Sequence, residues 1–178
     1  PLLLTSIVYP ALKKALQSAK ESVRREAVQL LAAMVRAFPG YRAPLLPLLH
    51  ENPDLDFFAN VAHIQLSRRR KALTRLLPLI AKGDVTAPVA SQILMPLVVH
   101  FVYEQGATKR SLEASGAEHG VVEEALRGLG ALCGLLPWSH YHATLTTFMK
   151  QIPHKPALEK LLVRAVCVIV DAFHFAIA

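Results

Sequence analysis

Apolar residues recur at every third or fourth position along almost the whole chain, and no segment alternates apolar with polar side chains. That periodicity predicts an all-α protein, because residues three and four apart share one side of a helix. The apolar faces and the breaks between them place helices over about residues 3–19, 22–38, 42–50, 65–82, 87–104, 118–136, 139–151 and 156–176. A short helical turn is expected between Asp56 and Ile64. Three of the helices carry a proline followed by apolar side chains, at Pro10-Ala-Leu, Pro47-Leu-Leu-His and Pro96-Leu-Val-Val-His. Each proline removes a hydrogen bond and crowds the preceding turn, so each is expected to bend its helix. Repetition of the bend points to a repeated unit.

The second helix gives that unit a form. In Glu21-Ser-Val-Arg-Arg-Glu-Ala-Val-Gln-Leu-Leu, the side chains of Val23, Ala27, Leu30, Leu31 and Met34 are expected to line one face, and Arg24 follows the turn. This resembles a HEAT-repeat hairpin, with its Val-Arg pair just after the inter-helix turn. Four hairpins in 178 residues give about 44 residues each, inside the HEAT period. The expected fold class is therefore all-α, an α-solenoid of HEAT-like helical hairpins that is a fragment of a longer superhelix. A helical bundle is the alternative that short loops leave open.

The organisation follows: basic HEAT-like repeats over residues 1–104, a polar loop over 105–117 bearing Lys109 and Arg110, and repeats of the same solenoid over 118–178. Between Leu161 and Val170 only Arg164 is polar, so that helix is expected to be covered on most sides. Without a polar capping repeat at the end, further repeats are expected to follow. The chain opens at Pro1 rather than at an initiator Met, which reads as a piece of something larger.

Composition narrows the class. With 53% hydrophobic and 19% charged residues, much of the surface is expected to meet more protein. No apolar run is expected to span a bilayer: the richest, Ile93 to Tyr103, contains Pro96 and His100, and the last is broken by Asp171. The net charge of +7 lies in one half. Through Asp84 there are thirteen Lys and Arg against six Asp and Glu, and from Val85 onward seven of each. Such asymmetry points to a partner surface.

The stretch from Asp54 to Leu76 concentrates that charge. An acidic and aromatic lead-in precedes a helix that opens with Arg68, Arg69, Arg70 and Lys71, joined one turn later by Arg75. Cations at a helix start oppose the helix dipole, so another interaction must favour them. A polyanion would do so through counterion release; a solvated face whose stems cover apolar neighbours is the plainer reading. These five residues are the candidate contacts to RNA or to an acidic partner. Few exposed aromatic side chains are expected near them, which argues against sequence-specific base stacking.

A search for catalysis, metal or cofactor sites returns nothing. His140 and His142 are two apart on a helix and point to different sides. His63 with Asp54 and Asp56 lacks a nucleophile, and Asp54 or Asp56 is more simply an N-cap for the turn carrying Phe57 and Phe58. His100 and His174 lie in apolar helices as hydrogen-bonded core or interface residues. Glu123 and Glu124 are adjacent and diverge. Gly128, Gly130 and Gly134 suit close helix packing, and Trp138 a hydrophobic anchor. Cys133 and Cys167 read as buried reduced thiols, consistent with cytosol or nucleus. No enzyme, cofactor, metal or small-molecule substrate is expected.

Several longer stretches carry a specific resemblance: Asp54-Leu-Asp-Phe-Phe-Ala-Asn-Val-Ala-His-Ile-Gln-Leu-Ser-Arg-Arg, Val122-Glu-Glu-Ala-Leu, Leu136-Pro-Trp-Ser, Tyr141, and Lys155-Pro-Ala-Leu-Glu-Lys-Leu-Leu-Val-Arg through Asp171-Ala-Phe-His-Phe. From about Leu45 to the end, the chain resembles the U-three small nucleolar RNA-associated protein twenty family, also called down-regulated in metastasis. Its members are very large HEAT-repeat proteins of the small-subunit processome. The resemblance implies a nucleolar, non-enzymatic scaffold for ribosome biogenesis. It also implies contact with pre-ribosomal RNA, the small nucleolar ribonucleoprotein and other assembly proteins during small-subunit rRNA processing, away from any membrane. Ser67 stands where the family pattern has histidine, so a contact made by that histidine is not carried over, whereas Arg68 and Arg69 match. The competing readings are a protein-only HEAT scaffold of the transport-receptor or phosphatase-scaffold kind, and a repeat segment attached to an enzyme elsewhere in its chain.

Overall fold

The computed structural model describes residues 3–40, 43–108 and 116–176, and among them the regular structure is helical. Helix α1 opens as a π-helical turn over Leu4–Val8 and continues over Tyr9–Leu16, and α2 spans Glu21–Ala37. A 3-10 segment, Ala43–Leu48, precedes the short α3, Phe57–Val61, and α4, Leu66–Ala81. Helix α5 combines Ala87–Val89, a π-helical turn over Ala90–Leu94 and Met95–Thr108. Then come α6, Gly116–Cys133, and α7, Trp138–His154. Helix α8, Glu159–Asp171, follows a 3-10 turn over Pro156–Leu158.

The prolines act through a shared device. Just before Pro10 the amide of Tyr9 donates to the carbonyl of Leu4, and just before Pro96 the amide of Met95 donates to that of Ala90. Both bonds close the wider π turn, which relieves the clash of the proline ring with the carbonyl four residues back. The third proline acts differently: with Pro44 and Pro47 both lacking an amide proton, the expected helix over 42–50 is a 3-10 segment over Ala43–Leu48.

Other boundaries shift for local reasons. Helix α4 ends where Gly83 adopts φ +79°, letting the Asp84 amide reach the Leu79 carbonyl at 3.0 Å and the Gly83 amide reach Ile80 at 3.0 Å. Of the polar stretch expected as a loop over 105–117, residues 105–108 belong to α5, which runs to Thr108, and 116–117 to α6, which starts at Gly116. Lys109 and Arg110 lie outside the described residues. The last helix stops at Asp171 rather than 176, because Phe173 and Phe175 turn back onto the rings of Trp138 and Tyr141.

Consecutive helices pair as α1 with α2, α3 with α4, α5 with α6 and α7 with α8, and α6 also packs against α4 and α8. This pairing fits HEAT-like hairpins. Helix α6 buries Val121, Val122, Ala125, Leu126, Leu129, Leu132 and Cys133 within one core that runs from Tyr9 to Ile169. At Gly130 an added Cβ would lie 3.3 Å from the Val168 carbonyl oxygen, so the glycine sets how closely α6 and α8 approach. Helix α8 buries Leu161, Leu162, Ala165 and Ile169 and leaves Val163 and Val170 exposed, so it is covered on one side and not on most.

Two sequence expectations turn over. The core face of α2 is Arg24, Ala27, Val28, Leu31, Ala32, Met34 and Val35, while Val23 and Leu30 face outward. The helix is rotated because Arg24 meets acceptors inside. Moreover, Ala87–Glu104 is long and apolar enough to cross a membrane by length and composition, although half of it is buried against the other helices as in a core helix.

Candidate functional site

The run of cations at the start of α4 is divided by helical phase. Arg69 shares its side with Ala72, Leu73 and Leu76, all buried, and goes inward with them. Its Nε donates to the His63 carbonyl at 2.5 Å, its Nη2 pairs with Glu21 of α2, and its Nη1 lies 3.8 Å from Glu104 of α5. The guanidinium also sits over the Phe101 ring, 5.9 Å from its centre. Arg69 is thus buried and paired within the protein, which sets it apart from the other four candidate residues.

Arg24 enters the same joint from α2. Its Nη1 donates to the Ser18 carbonyl at 2.5 Å, and its Nη2 contacts Nε2 of His100 and lies 3.9 Å from Glu104. His100 Nε2 is 3.0 Å from the Glu104 carboxylate one turn along α5. The His100 hydrogen bond, with Arg69 and Arg24 adding charge, holds the Glu104 carboxyl below its ordinary range against the opposing effect of burial. Burial lowers the pKa of Arg24, with Glu104 and Glu21 opposing that loss. Two arginines thus face two glutamates, and the cleft they line is occupied by its own counter-charges. It joins α2, α4 and α5.

This joint escaped sequence reasoning, yet a signal was present. Arg24 stands at core spacing with Ala27, Val28, Leu31 and Val35, and Arg69 with Ala72, Leu73 and Leu76. Charged residues in the phase of the core imply buried partners.

Arg68 and Arg75 turn to the lead-in segment instead. Arg68 lies 3.4 Å from the Asp54 carboxylate, and Arg75 donates to the Asp54 backbone carbonyl at 2.6 Å. Asp56 caps α3 by accepting from the Ala59 amide at 2.7 Å and pairs with Arg36 at 2.8 Å, so of the two candidate caps Asp56 takes the role. Arg70 and Lys71 remain exposed, and among the described residues no ion pair engages either. The Arg70 side chain lies along α6 at Gly120, where an added Cβ would come within 3.0 Å of its Cδ and Nη1.

At the opposite end, Trp138 packs on Tyr141, His142 and Phe175, and the Tyr141 hydroxyl donates to the Ile169 carbonyl at 2.8 Å. His174 is exposed beside Phe175 rather than in the core. Cys133 is buried, and burial pushes its thiol up to about 12, whereas Cys167 is exposed, contrary to its reading as a buried thiol. Among the described residues no group of three His, Cys, Asp or Glu side chains is placed to hold a metal ion.

Among the described residues the chain is all-helical, and its paired helices, with an ionic joint of two arginines against two glutamates and a separate outward row of cations, fit HEAT-like repeats. No protein-family profile matches it. Two curated homologues carry the name U3 small nucleolar RNA-associated protein 20. The relative from Schizosaccharomyces pombe is 26% identical over 168 residues, which cover 93% of this chain and 6% of the relative. That from Saccharomyces cerevisiae is 26% identical over 171 residues, covering 92% of this chain and 6% of the relative. The chain therefore spans about 6% of the length of these relatives. The likeness takes in residues before Leu45, so it reaches further forward than the stretches that first carried it. The relatives' names describe association with an RNA and name no reaction.

Proposed function

We propose that this chain is a segment of a non-catalytic HEAT-repeat solenoid that serves as a scaffold of the small-subunit processome in the nucleolus. In this reading it helps to hold pre-ribosomal RNA, the U3 small nucleolar ribonucleoprotein and neighbouring assembly proteins during small-subunit rRNA processing. The observation that carries the proposal is the match along more than nine-tenths of the chain to two proteins named for association with that RNA.

Two features of the surface support it. Apolar side chains are exposed on α1 and α2, at Leu3, Ile7, Val23 and Leu30, and again on and beyond α8, at Val163, Val170 and Phe173. Adjoining helical repeats would cover both edges. Between those edges the exposed cations of α4, Arg70 and Lys71 flanked by Arg68 and Arg75, offer contact to RNA or to an acidic assembly factor.

The test is gradient sedimentation of the intact parent protein from cells, followed by RNA crosslinking and sequencing. Co-migration with small-subunit precursors and crosslinks to precursor RNA are expected. Migration apart from pre-ribosomal particles, with no RNA recovered, would replace this reading by the protein-only scaffold.

A further inference from the structure

Resting on that reading, we infer that the outer edge of α4 is a ridge for a phosphodiester backbone, formed by Arg70, Lys71 and Lys82 and braced by Arg68 and Arg75, and that it binds single-stranded RNA without sequence preference. The helical phase that sends Arg69, Ala72, Leu73 and Leu76 inward puts Ser67, Arg70, Lys71, Thr74, Pro78 and Lys82 outward, and all six are exposed. From Arg68 to Lys82 the ridge runs about 20 Å at the helical rise of roughly 1.5 Å per residue. A row of that length meets several phosphates of one strand.

The choice between RNA and an acidic protein rests on what is missing from this edge. A protein interface is centred on buried aromatic or aliphatic anchors ringed by polar groups. Along α4 itself no large hydrophobic side chain is strongly exposed, the nearest being Ile64 just before the helix and Leu55 beside Asp54, so the ridge is not centred on such an anchor. A surface of cations and small polar groups alone gains from releasing counterions, which requires a dense linear polyanion. The absence of exposed rings also removes base stacking as a source of sequence preference.

Geometry further holds the cations apart from the core. Arg68 and Arg75, about two turns apart, both hold Asp54, which fixes the preceding loop against α4 and keeps its carboxylate beside Arg68. Arg70 rests its side chain, guanidinium included, on Gly120 of α6.

The experiment measures fluorescence anisotropy of this chain with a labelled twelve-nucleotide single-stranded RNA of mixed sequence and, in parallel, a labelled poly-glutamate peptide, across a salt series. The ridge variant Arg70→Glu/Lys71→Glu/Lys82→Glu is compared with Lys14→Glu/Lys20→Glu, which removes exposed charge elsewhere in the same basic half, and helicity by circular dichroism confirms each fold. A milder Lys71→Ala/Lys82→Ala variant serves if the triple reversal does not fold. Expected results are at least tenfold weaker RNA binding and a salt slope reduced by about 2 in the ridge variant, since each single-strand phosphate contributes about 0.7, with little change in the control. Equal losses in both variants, no loss in the ridge variant, or equal affinity for poly-glutamate would overturn the inference. The parent carrying the same reversals separates this from the function proposed above: a parent that stays in the particles while its RNA crosslinks at α4 are unchanged by the reversals sinks the ridge and leaves the scaffold standing, whereas loss of those crosslinks supports the ridge.

Discussion

Two joints hold this molecule together by different chemistry. At one, Arg24, Arg69, Glu21, His100 and Glu104 tie α2, α4 and α5 through charge. At the other, Trp138, Tyr141, Phe173 and Phe175 tie α7 to the segment after α8 through rings, with one buried hydrogen bond from Tyr141 to Ile169. The ionic joint is neutral only as a whole, so losing one member strands the others in a poorly solvated place. The aromatic joint is a sum of small contacts, and losing one leaves the remainder intact. A charge-based joint therefore fails abruptly and responds to pH, whereas a ring-based joint weakens by degrees.

Arg69→Met is the sharpest way to break the comparison. It removes a buried cation and leaves Glu104 short of one partner and Glu21 of another. Breaking a buried pair costs about 3–5 kcal/mol, with the lower end expected because Glu21 is half exposed. For a chain of this size that is a fall of roughly 10 °C in Tm, read by thermal circular dichroism. A fall below a few degrees would mean that the joint adds little beyond packing.

Tyr141→Phe tests the ring joint at its most specific point. The ring contacts persist, and only the hydroxyl that serves the Ile169 carbonyl is lost. About 1 kcal/mol is expected, a shift of roughly 2–4 °C, independent of pH in the neutral range. A loss as large as that of Arg69→Met would erase the contrast between the two joints.

Acid sharpens the comparison further. The folded pKa of Glu104 is depressed, chiefly by its hydrogen bond with His100. A depressed carboxylate contributes stability that is fully present above its unfolded value, about 4.3, and is lost as pH falls from there through the lower folded value. Wild-type Tm should therefore drop over that window more steeply than Tm of Glu104→Gln, with Tyr141→Phe following the wild type. Parallel curves for wild type and Glu104→Gln would place the acid sensitivity elsewhere.

The same contrast explains what could be read from the sequence. Apolar spacing located most helices, because burial of one face is a local, periodic demand. It missed the 3-10 form of Ala43–Leu48, where two prolines outweigh the apolar pattern, and it carried the last helix past Asp171, because Phe173 and Phe175 look like a continuing apolar face. It also rotated α2 by trusting Val23 and Leu30 over Arg24. The five candidate cations were read as one block since composition cannot separate Arg69 from Arg70. Their difference is a rotation of about 100° around a helix, meaningful only once the partners at Glu21 and Glu104 are in place.

That rotation also sets the smallest effect. Gly120→Ala adds a methyl group against the Arg70 side chain, whose Cδ and Nη1 would be 3.0 Å away. The contacted atoms lie toward the free end of a flexible chain, so Arg70 moves at little cost, while alanine in place of glycine favours helix by up to about 1 kcal/mol. Stability should therefore stay the same or rise slightly. Because Arg70 is displaced from α6 without losing its charge, RNA affinity should change by no more than about twofold, far less than on charge reversal. A large loss of affinity with Tm unchanged would mean that the resting place of Arg70 on Gly120, and not its charge alone, aligns the ridge.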